Sequence, residues 1–381
     1  MDELQILPVI NKRTLRRFIM LPKELHKNHK NWVPPIYRDE WNYFNPKKNY
    51  AFDYCDYVSA ICLKEGHPVG RIMGIINHRH NKSQNEKKAR FSFFECINNH
   101  SVAHALLQYV ETWAKSKGME KIVGPYGMYY HDPEGFIIEG FEHEPAVATN
   151  YNFQYQVEFV EKEGYTPEVD FVVYKINIPS EIPSFYQEIF ERTIKRKNFQ
   201  LLEFSKKAPL KNYIRPVFNL MNDCYRDIYG YSMLDDKEMD SLGKQYLSFL
   251  DPRFIKIVTR QDELAGFIIA MPNISEGIRK ANGYLLPFGI FKILNAAGKS
   301  KQLDLLIGGV KKEYQGIGLD VLLGLKMIET GQKYGFSFMD SHLELESNYK
   351  IRAEMEKVGG VVYKKYRVFT KFLDKVKVSQ V

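Results

Sequence analysis

The order of predicted secondary-structure segments occurs twice in this chain, and this internal repeat constrains the fold more than any other sequence feature. Residues 64–77 and 260–273 align as a polar turn between two apolar strands, with a glycine near the start of the second strand. Residues 102–117 and 321–334 then place apolar side chains at helical spacing, and each stretch is followed by a glycine, the usual end signal of a helix. Each half is therefore predicted to build the same kind of unit.

The repeat continues to the end of each half. Residues 161–165 lead into an apolar strand at 170–174, and residues 356–360 lead into one over 361–369. The predicted order in each half is strand, strand, strand, helix, strand, helix, strand, preceded by one or two helices. This order specifies an α/β (α+β) fold with a mixed sheet, because the hairpin contributes antiparallel strands.

The duplication predicts two domains, residues 1–178 and 179–381, and a chain of 381 residues is long enough for both. Chance periodicity in two unrelated α/β domains is the alternative. Two insertions break the symmetry, residues 125–145 in the first half and 278–301 in the second. Long loops in a compact domain are either functional or flexible decoration.

Each insertion contains one notable segment. Tyr129, Tyr130, His131 and Asp132 are candidates for lining a substrate groove, with aromatic packing as the alternative. The apolar run 285–294 is a core segment, a lid or a lipid-facing helix. It is shorter than the roughly 20 apolar residues that a membrane span needs, so no stable membrane insertion is expected.

Composition narrows the cellular context and the partners. The net charge is +8, and the basic residues are scattered rather than clustered, which does not indicate a nucleic-acid partner. Four widely spaced cysteines form no CxxC pair, as is typical of reduced thiols in a cytoplasmic protein. His78 and His80 lack a third ligand nearby, so no metal site is predicted. The oligomeric state is left open.

The segment most suggestive of chemistry is residues 303–323, which is predicted as a strand, a polar glycine loop and a helix. Glycines allow the loop backbone to turn its N–H groups toward one point, and the helix N-terminus adds a positive dipole end. Such a site suits a pyrophosphate. The segment has neither the GKS or GKT of a P-loop nor the third glycine of a Rossmann fingerprint, and an ordinary strand-to-helix turn is the alternative.

Residues 310–323 resemble motif A of the GNAT acyltransferase superfamily, Q/R-x-x-G-x-G/A, in which Gln315 and Gly318 match. The order of elements in both halves is also similar to a GNAT domain, so the resemblance covers nearly the whole chain as a tandem pair. The segments 32–35 and 346–367 resemble a group of uncharacterised bacterial tandem GNAT-like proteins. The resemblance implies acetyl-CoA or another acyl-CoA as donor. The residues that it implies for donor binding are Gly309, Val310, Gln315, Gly316, Ile317, Gly318, Leu319 and Asn348.

The chain departs from the GNAT pattern at two positions. Asp320 occupies the closing Gly/Ala position, where its charge either competes with a pyrophosphate or caps the loop N–H groups, unless it points away. The usual tyrosine acid is replaced by Met355 in the second half and Val160 in the first. Other tyrosines are then needed as proton donors, with packing as their alternative role: Tyr349, Tyr363 and Tyr366. The first half has no glycine loop at 94–100, so it is expected to be a structural or substrate-shaping partner.

Four titratable residues alternate after motif A: Asp340, His342, Glu344 and Glu346. In one strand they would share a face, and acyl transfer to an ammonium needs a general base. Glu344 and Glu346 lie nearest the expected opening and are predicted as bases, with Tyr363 as the acid. A solvated edge is the alternative role of this face.

The predicted function is therefore direct transfer of an acetyl or other acyl group from CoA to a small amine, with the second half holding the donor site. A non-catalytic ligand-binding or regulatory protein with a degenerate GNAT fold is the alternative. A peptide or aminoacyl transferase would share this architecture and differ in its donor.

Overall fold

The computed structural model describes residues 3–146, 149–182, 188, 191–193 and 198–374. The two halves show the repeated order of elements that the sequence predicts. Each half also begins with a short strand that the sequence analysis did not predict. The first half contains β1 (Leu4–Pro8), α1 (Lys12–Leu25), α2 (Tyr37–Tyr43), β2 (Cys55–Lys64), β3 (His67–Asn77), α3 (His78–Gln84), β4 (Lys88–Cys96), α4 (His100–Ser116), β5 (Lys121–Gly124), β6 (Phe136–Glu139), α5 (Gln154–Lys162) and β7 (Thr166–Asn177).

The second half repeats this series of elements. It contains β8 (Phe199–Glu203), α6 (Ile214–Tyr225), α7 (Asp236–Phe249), β9 (Ile255–Arg260), β10 (Glu263–Pro272), α8 (Ser275–Lys280), α9 (Gly289–Lys299), β11 (Gln302–Val310), α10 (Leu319–Lys333), β12 (Phe338–Asp340), β13 (Glu344–Leu345), α11 (Tyr349–Lys357) and β14 (Gly360–Phe372).

The strands form one mixed sheet of 14 strands, as the predicted fold class requires. Its main path runs β1-β2-β3-β4-β5-β14-β7-β12-β11-β10-β9-β8, with β6 beside β14 and β13 beside β7. Most neighbours are antiparallel, but β4 with β5 and β11 with β12 are parallel. The parallel pairs arise because α4 and α10 carry the chain back along the sheet before the next strand begins.

The last long strands of the two halves exchange places in this sheet. β14, from the second half, pairs with β5 through Phe369 and Gly124. β7, from the first half, pairs with β12 through Ile176 and Met339. β7 and β14 also pair with each other along most of their length. The division at residue 178 remains a prediction for the chain, whereas the sheet itself continues across it.

The two repeated helices cover the sheet at corresponding places. α4 buries Leu106, Leu107 and Val110 against β2 and β3. α10 buries Leu322 and Leu323 against β9 and β10. Both helices end close to the glycines that the sequence marked as end signals.

Two local expectations are wrong. Residues 340–346 are not one strand, because β12 ends at Asp340, His342 has a left-handed φ of 62°, and β13 comprises two residues. The run 285–294 is not a core segment, since Leu286 and Phe291 are exposed. Among the described helices, none has both the length and the apolar character that crossing a bilayer requires.

Candidate active site in the second half

A gap opens in the sheet beside β11. β11 and β12 pair only from Gln302 to Asp304, after which the far edge of β11 is free of a neighbouring strand. The ladder with β10 continues to Val310, and the N–H of Lys311 donates to Ala265 O. Since ladder bonds alternate along an antiparallel strand, the backbone groups of Gly308 and Val310 point into the gap.

Helix α6 lies over this gap and contacts its exposed strand edge. The hydroxyl of Tyr225 donates to Gly308 O at 2.7 Å, and Cys224 Sγ lies 3.4 Å from Val310 O. Burial raises the pKa of the Cys224 thiol, so this side chain is a neutral donor rather than a nucleophile.

The corresponding gap in the first half is filled. The free edge of β4 carries three carbonyls that accept hydrogen bonds from the chain itself. Tyr126 N donates to Phe91 O at 2.8 Å, Gln156 Nε2 to Phe94 O at 3.1 Å and Tyr155 Oη to Cys96 O at 2.8 Å. Gln156 is fully buried, and β4 does not line the cavity that extends from the gap beside β11.

A cavity of about 3320 Å³ extends from the gap beside β11. Residues from 305–310 and from the loop 315–318 line it, together with Asn348, and most of its other lining side chains are apolar. The first insertion also reaches it through four side chains: Tyr129, Tyr130, His131 and Asp132. These four side chains therefore border a cavity that residues of both halves line.

The loop between β11 and α10 has an open, anion-accepting geometry. Gly316 and Gly318 adopt φ values of 72° and 95°, which side chains other than glycine rarely accept. Gly318 is the N-cap of α10, and no side chain in the described part of the chain caps this helix. The first-turn N–H groups are therefore left for another acceptor.

Asp320 does not cap the loop. Its carboxyl group shares a hydrogen bond with Glu354 on α11, and both residues line the cavity. Burial, together with this hydrogen bond and the charge of Asp320, raises the pKa of Glu354 to about 8. At neutral pH the pair therefore holds a proton, which reduces the negative charge facing the loop.

Glu344 lies in the cavity wall, on the two-residue strand β13 that pairs with β7. Its apolar surroundings raise the pKa of its carboxyl group to about 8 by desolvation. Burial and then the charge of Glu344 raise the pKa of Tyr225 well above its usual range. Glu344 and Tyr225 are thus close enough to interact across the gap.

Comparisons with known proteins were made with both the sequence and the fold. No protein-family model matches the sequence. A bacterial ceramide synthase from Caulobacter vibrioides is 28% identical over 97% of this chain and 98% of that protein. Protein YghO from Escherichia coli is 25% identical over 95% of this chain and 94% of its own length.

Solved structures match the fold along the full chain. A tandem GNAT protein from the clavulanic acid biosynthesis pathway aligns with a TM-score of 0.58 at 12% identity, covering 98% of this chain and 100% of that one. A GCN5-related N-acetyltransferase from Sphaerobacter thermophilus aligns with a TM-score of 0.53 at 11% identity, covering 100% and 99%. The chain has the tandem GNAT fold.

The structure places the two predicted general bases, Glu344 and Glu346, in different surroundings. Glu344 lines the cavity, whereas Glu346 lies outside it, with its carboxylate 3.8 Å from Lys365 Nζ. The separation follows from the short β13, which does not continue the face that the alternation implied.

Tyr363 lies in a different cluster from Glu344. Its hydroxyl donates to Asp340, which also accepts from Lys364 Nζ at 2.9 Å. Asp340 and Lys364 are fully buried, and the charge of Lys364 holds the pKa of Asp340 below its usual value despite desolvation. None of these three residues lines the cavity.

The other tyrosines considered as proton donors also lie away from the gap. Tyr349 is exposed on α11, and Tyr366 is buried in β14. Tyr225 was not predicted, and only its position over Gly308 distinguishes it from other helical tyrosines. Tyr130, from the first half, packs edge-to-face against Tyr225, with ring centroids 5.8 Å apart.

In the described part of the chain, no group of three or more metal-ligating side chains is suited to a metal ion.

Proposed function

We propose that the second half transfers an acyl group directly from acyl-CoA to the primary amine of a long-chain, amphipathic acceptor. The observation that carries this proposal is the cavity beside the free edge of β11, which is lined both by Glu344 and by the loop before α10. The first half contributes Tyr130 to the site and does not bind a donor of its own.

The donor is proposed to bind along the loop and the free strand edge. The backbone N–H groups of residues 316–319 would hold the pyrophosphate at the positive end of α10. Gly309, Val310 and Asn348 border the same cavity, where they would contact the rest of the donor. These assignments follow the GNAT resemblance of Gln315 and Gly318.

The acceptor is proposed to be a long-chain amine because the cavity is large and mostly apolar. Sites for drug-sized molecules usually occupy about 300–1,000 Å³, well below the volume here. The relative named bacterial ceramide synthase supports this class, since a ceramide is an N-acylated long-chain amine. The sequence predicts an acetyl or other acyl donor and a small amine as acceptor, and the long-chain amine is proposed in place of that small amine because of the cavity.

Glu344 is proposed as the general base and Tyr225 as the proton donor. Glu344 would take a proton from the acceptor ammonium, and the amine nitrogen would then attack the thioester carbonyl. As the N–C bond forms and the C–S bond breaks, Tyr225 would give its proton to the leaving thiolate, and the second nitrogen proton would pass to the tyrosinate that results. Tyr225 is proposed for this role because its hydroxyl lies at the free edge of β11, 2.7 Å from Gly308 O.

The test is release of CoA thiol from acetyl-, octanoyl- and palmitoyl-CoA in the presence of sphinganine, with ethanolamine as a short amine. The proposal expects Glu344→Gln to lower kcat/KM by about 100-fold or more, the usual contribution of a general base. Glu346→Gln is the matched control, because this carboxylate lies two residues away and outside the cavity. If both substitutions lowered kcat/KM equally, Glu344 would not be the general base.

A non-catalytic acyl-CoA-binding protein is the second candidate. The observation that favours it is Asp320, an acidic residue in the first turn of the helix that would receive the pyrophosphate. Calorimetric binding of acyl-CoA without thiol release for any tested amine would support this candidate, and binding of no acyl-CoA would exclude both functions.

A cytoplasmic location is part of the proposal. It is supported by the four cysteines, which are all free of disulfides.

A further inference from the structure

The most prominent surface feature outside the candidate active site is an exposed apolar patch on the second insertion. We call it the α9 patch, and it comprises the loop before α9 and one face of that helix. Its members and their exposed fractions are Leu286 81%, Phe288 68%, Ile290 47%, Phe291 66% and Leu294 63%.

The α9 patch is exposed because α9 packs through its other face. Ala296 is buried, and Gly277 of α8 approaches Ile293 and Ala296 so closely that an added Cβ would lie under 3 Å from both. Among the described residues, no other helix or strand covers the α9 patch once α8 and α9 are in contact. Contiguous apolar surface of this kind marks an interaction site in a folded protein.

Basic side chains border the α9 patch on the first half. Helix α1 exposes Lys12, Arg13, Arg16 and Lys23, and its first turn has no acidic residue. Tyr284 links the two surfaces, since it shares a hollow with Lys12, Arg13 and Arg16 and lies with its ring centroid 5.9 Å from Lys23 Nζ.

The α9 patch also borders the active-site cavity. Leu285, Ile293 and Ala297 line the cavity, and so do Ile290 and Leu294 of the patch. The same helix therefore has one apolar side toward the solvent and another toward the cavity.

We propose that the α9 patch, with the basic face of α1, is a docking surface for an anionic phospholipid bilayer. Phe288, Phe291 and Leu294 would enter the boundary between headgroups and acyl chains, while the α1 cations remain at the headgroups. Charge favours a bilayer over a second copy of the chain, because two copies would bring their basic α1 faces together. Docking of this kind places the apolar cavity next to the membrane. The docking proposal does not depend on the acyl-transfer proposal.

The test is flotation of the full-length protein with vesicles. Phosphatidylcholine mixed with an equal amount of phosphatidylglycerol is compared with phosphatidylcholine alone. The wild type is expected to float with the mixed vesicles.

Phe288→Ser combined with Phe291→Ser is expected to weaken this binding by about tenfold or more, because two exposed aromatic side chains no longer enter the bilayer. Lys12→Ser combined with Arg16→Ser is expected to weaken binding to the mixed vesicles and leave the weak binding to neutral vesicles unchanged.

Phe372→Ser is the matched control, because Phe372 is 76% exposed but lies beside Lys121 at the start of β5. It is expected to bind vesicles like the wild type. All variants alter exposed residues, so their thermal unfolding is expected to match that of the wild type. The proposal is wrong if the wild type binds neither kind of vesicle, or if the Phe288 and Phe291 substitutions leave vesicle binding unchanged. A wild-type dimer that the same substitutions convert to a monomer, without any vesicle binding, would assign the patch to self-association instead.

Discussion

The role of a carboxylate in this chain depends on its surroundings more than on its position in the sequence. Glu344 and Glu346 are two residues apart, yet one lies in the apolar wall of the cavity and the other faces Lys365. Desolvation raises the pKa of Glu344 to about 8. The sequence could name both as candidates but could not rank them.

The raised pKa of Glu344 predicts a specific pH dependence of acyl transfer. A general base must be ionised, so kcat/KM should rise with pH and level off above about 8, in line with the Glu344 pKa. The sign follows from burial: desolvation favours the protonated carboxyl, so activity is lost as pH falls below this value. Thiol release measured across neutral and mildly alkaline pH tests the prediction.

The long-chain acceptor must be checked for its own ionisation, since an amine also loses a proton as pH rises. Glu344→Gln serves as the control, because its residual rate should lack the step near pH 8. A wild-type profile that is flat across this range would contradict the role of Glu344.

At the scale of elements, the loop and the start of α10 were the most predictable part of the site. Glycine spacing identified the loop, and the structure shows left-handed backbone at Gly316 and Gly318. The direction of Asp320 could not be predicted, because it depends on Glu354, which is far along the chain on α11.

The uncapped start of α10 predicts that a negative charge at Gly318 blocks donor binding. Gly318→Asp should weaken acyl-CoA binding by about tenfold or more, because a carboxylate would occupy the anion site. Gly318→Asn is the matched control, since asparagine tolerates left-handed backbone and has nearly the same shape without the charge. Isothermal titration calorimetry with acyl-CoA measures both.

Equal loss of binding in the two Gly318 variants would instead assign the effect to backbone strain. Thermal unfolding of both variants tests this explanation. Backbone strain at this position would lower the free energy of unfolding of each variant by about 1 kcal/mol.

The ends of some helices could be predicted from the sequence, whereas the break between two strands could not. The ends of α4 and α10 followed from glycines that act locally. The break between β12 and β13 did not, because both strands are defined by pairing with β7, which lies in the other half of the chain.

At the scale of the whole molecule, the exchange of β7 and β14 makes each half depend on the other. Phe369 of β14 is fully buried in the core of the first half, with its ring centroid 6.2 Å from that of Phe136. The core around α4 is therefore completed by the last strand of the chain.

This exchange predicts that a core substitution in β14 destabilises the first half. Phe369→Ala should lower the free energy of unfolding by about 3–5 kcal/mol, the usual cost of removing a buried phenylalanine. Hydrogen exchange measured by mass spectrometry should show lost protection in β4 and β5, although the substituted residue belongs to the second half.

Phe372→Ala is the matched control for this prediction. Phe372 is on the same strand but exposed, so its substitution should change stability by less than about 0.5 kcal/mol. Loss of protection confined to the second half would contradict the dependence inferred from the exchanged strands.

The sequence by itself determined the repeated order of elements, the mixed sheet and the glycine loop of the second half, because hydrophobic periodicity and glycine act over short stretches of chain. The tertiary structure decided how these pieces combine. It exchanged the final strands, filled the gap beside β4 and left the one beside β11 open. It also brought Tyr225 and Tyr130 to Glu344 and left the α9 patch exposed. These outcomes depend on contacts between segments far apart in the chain, and such contacts leave no local pattern.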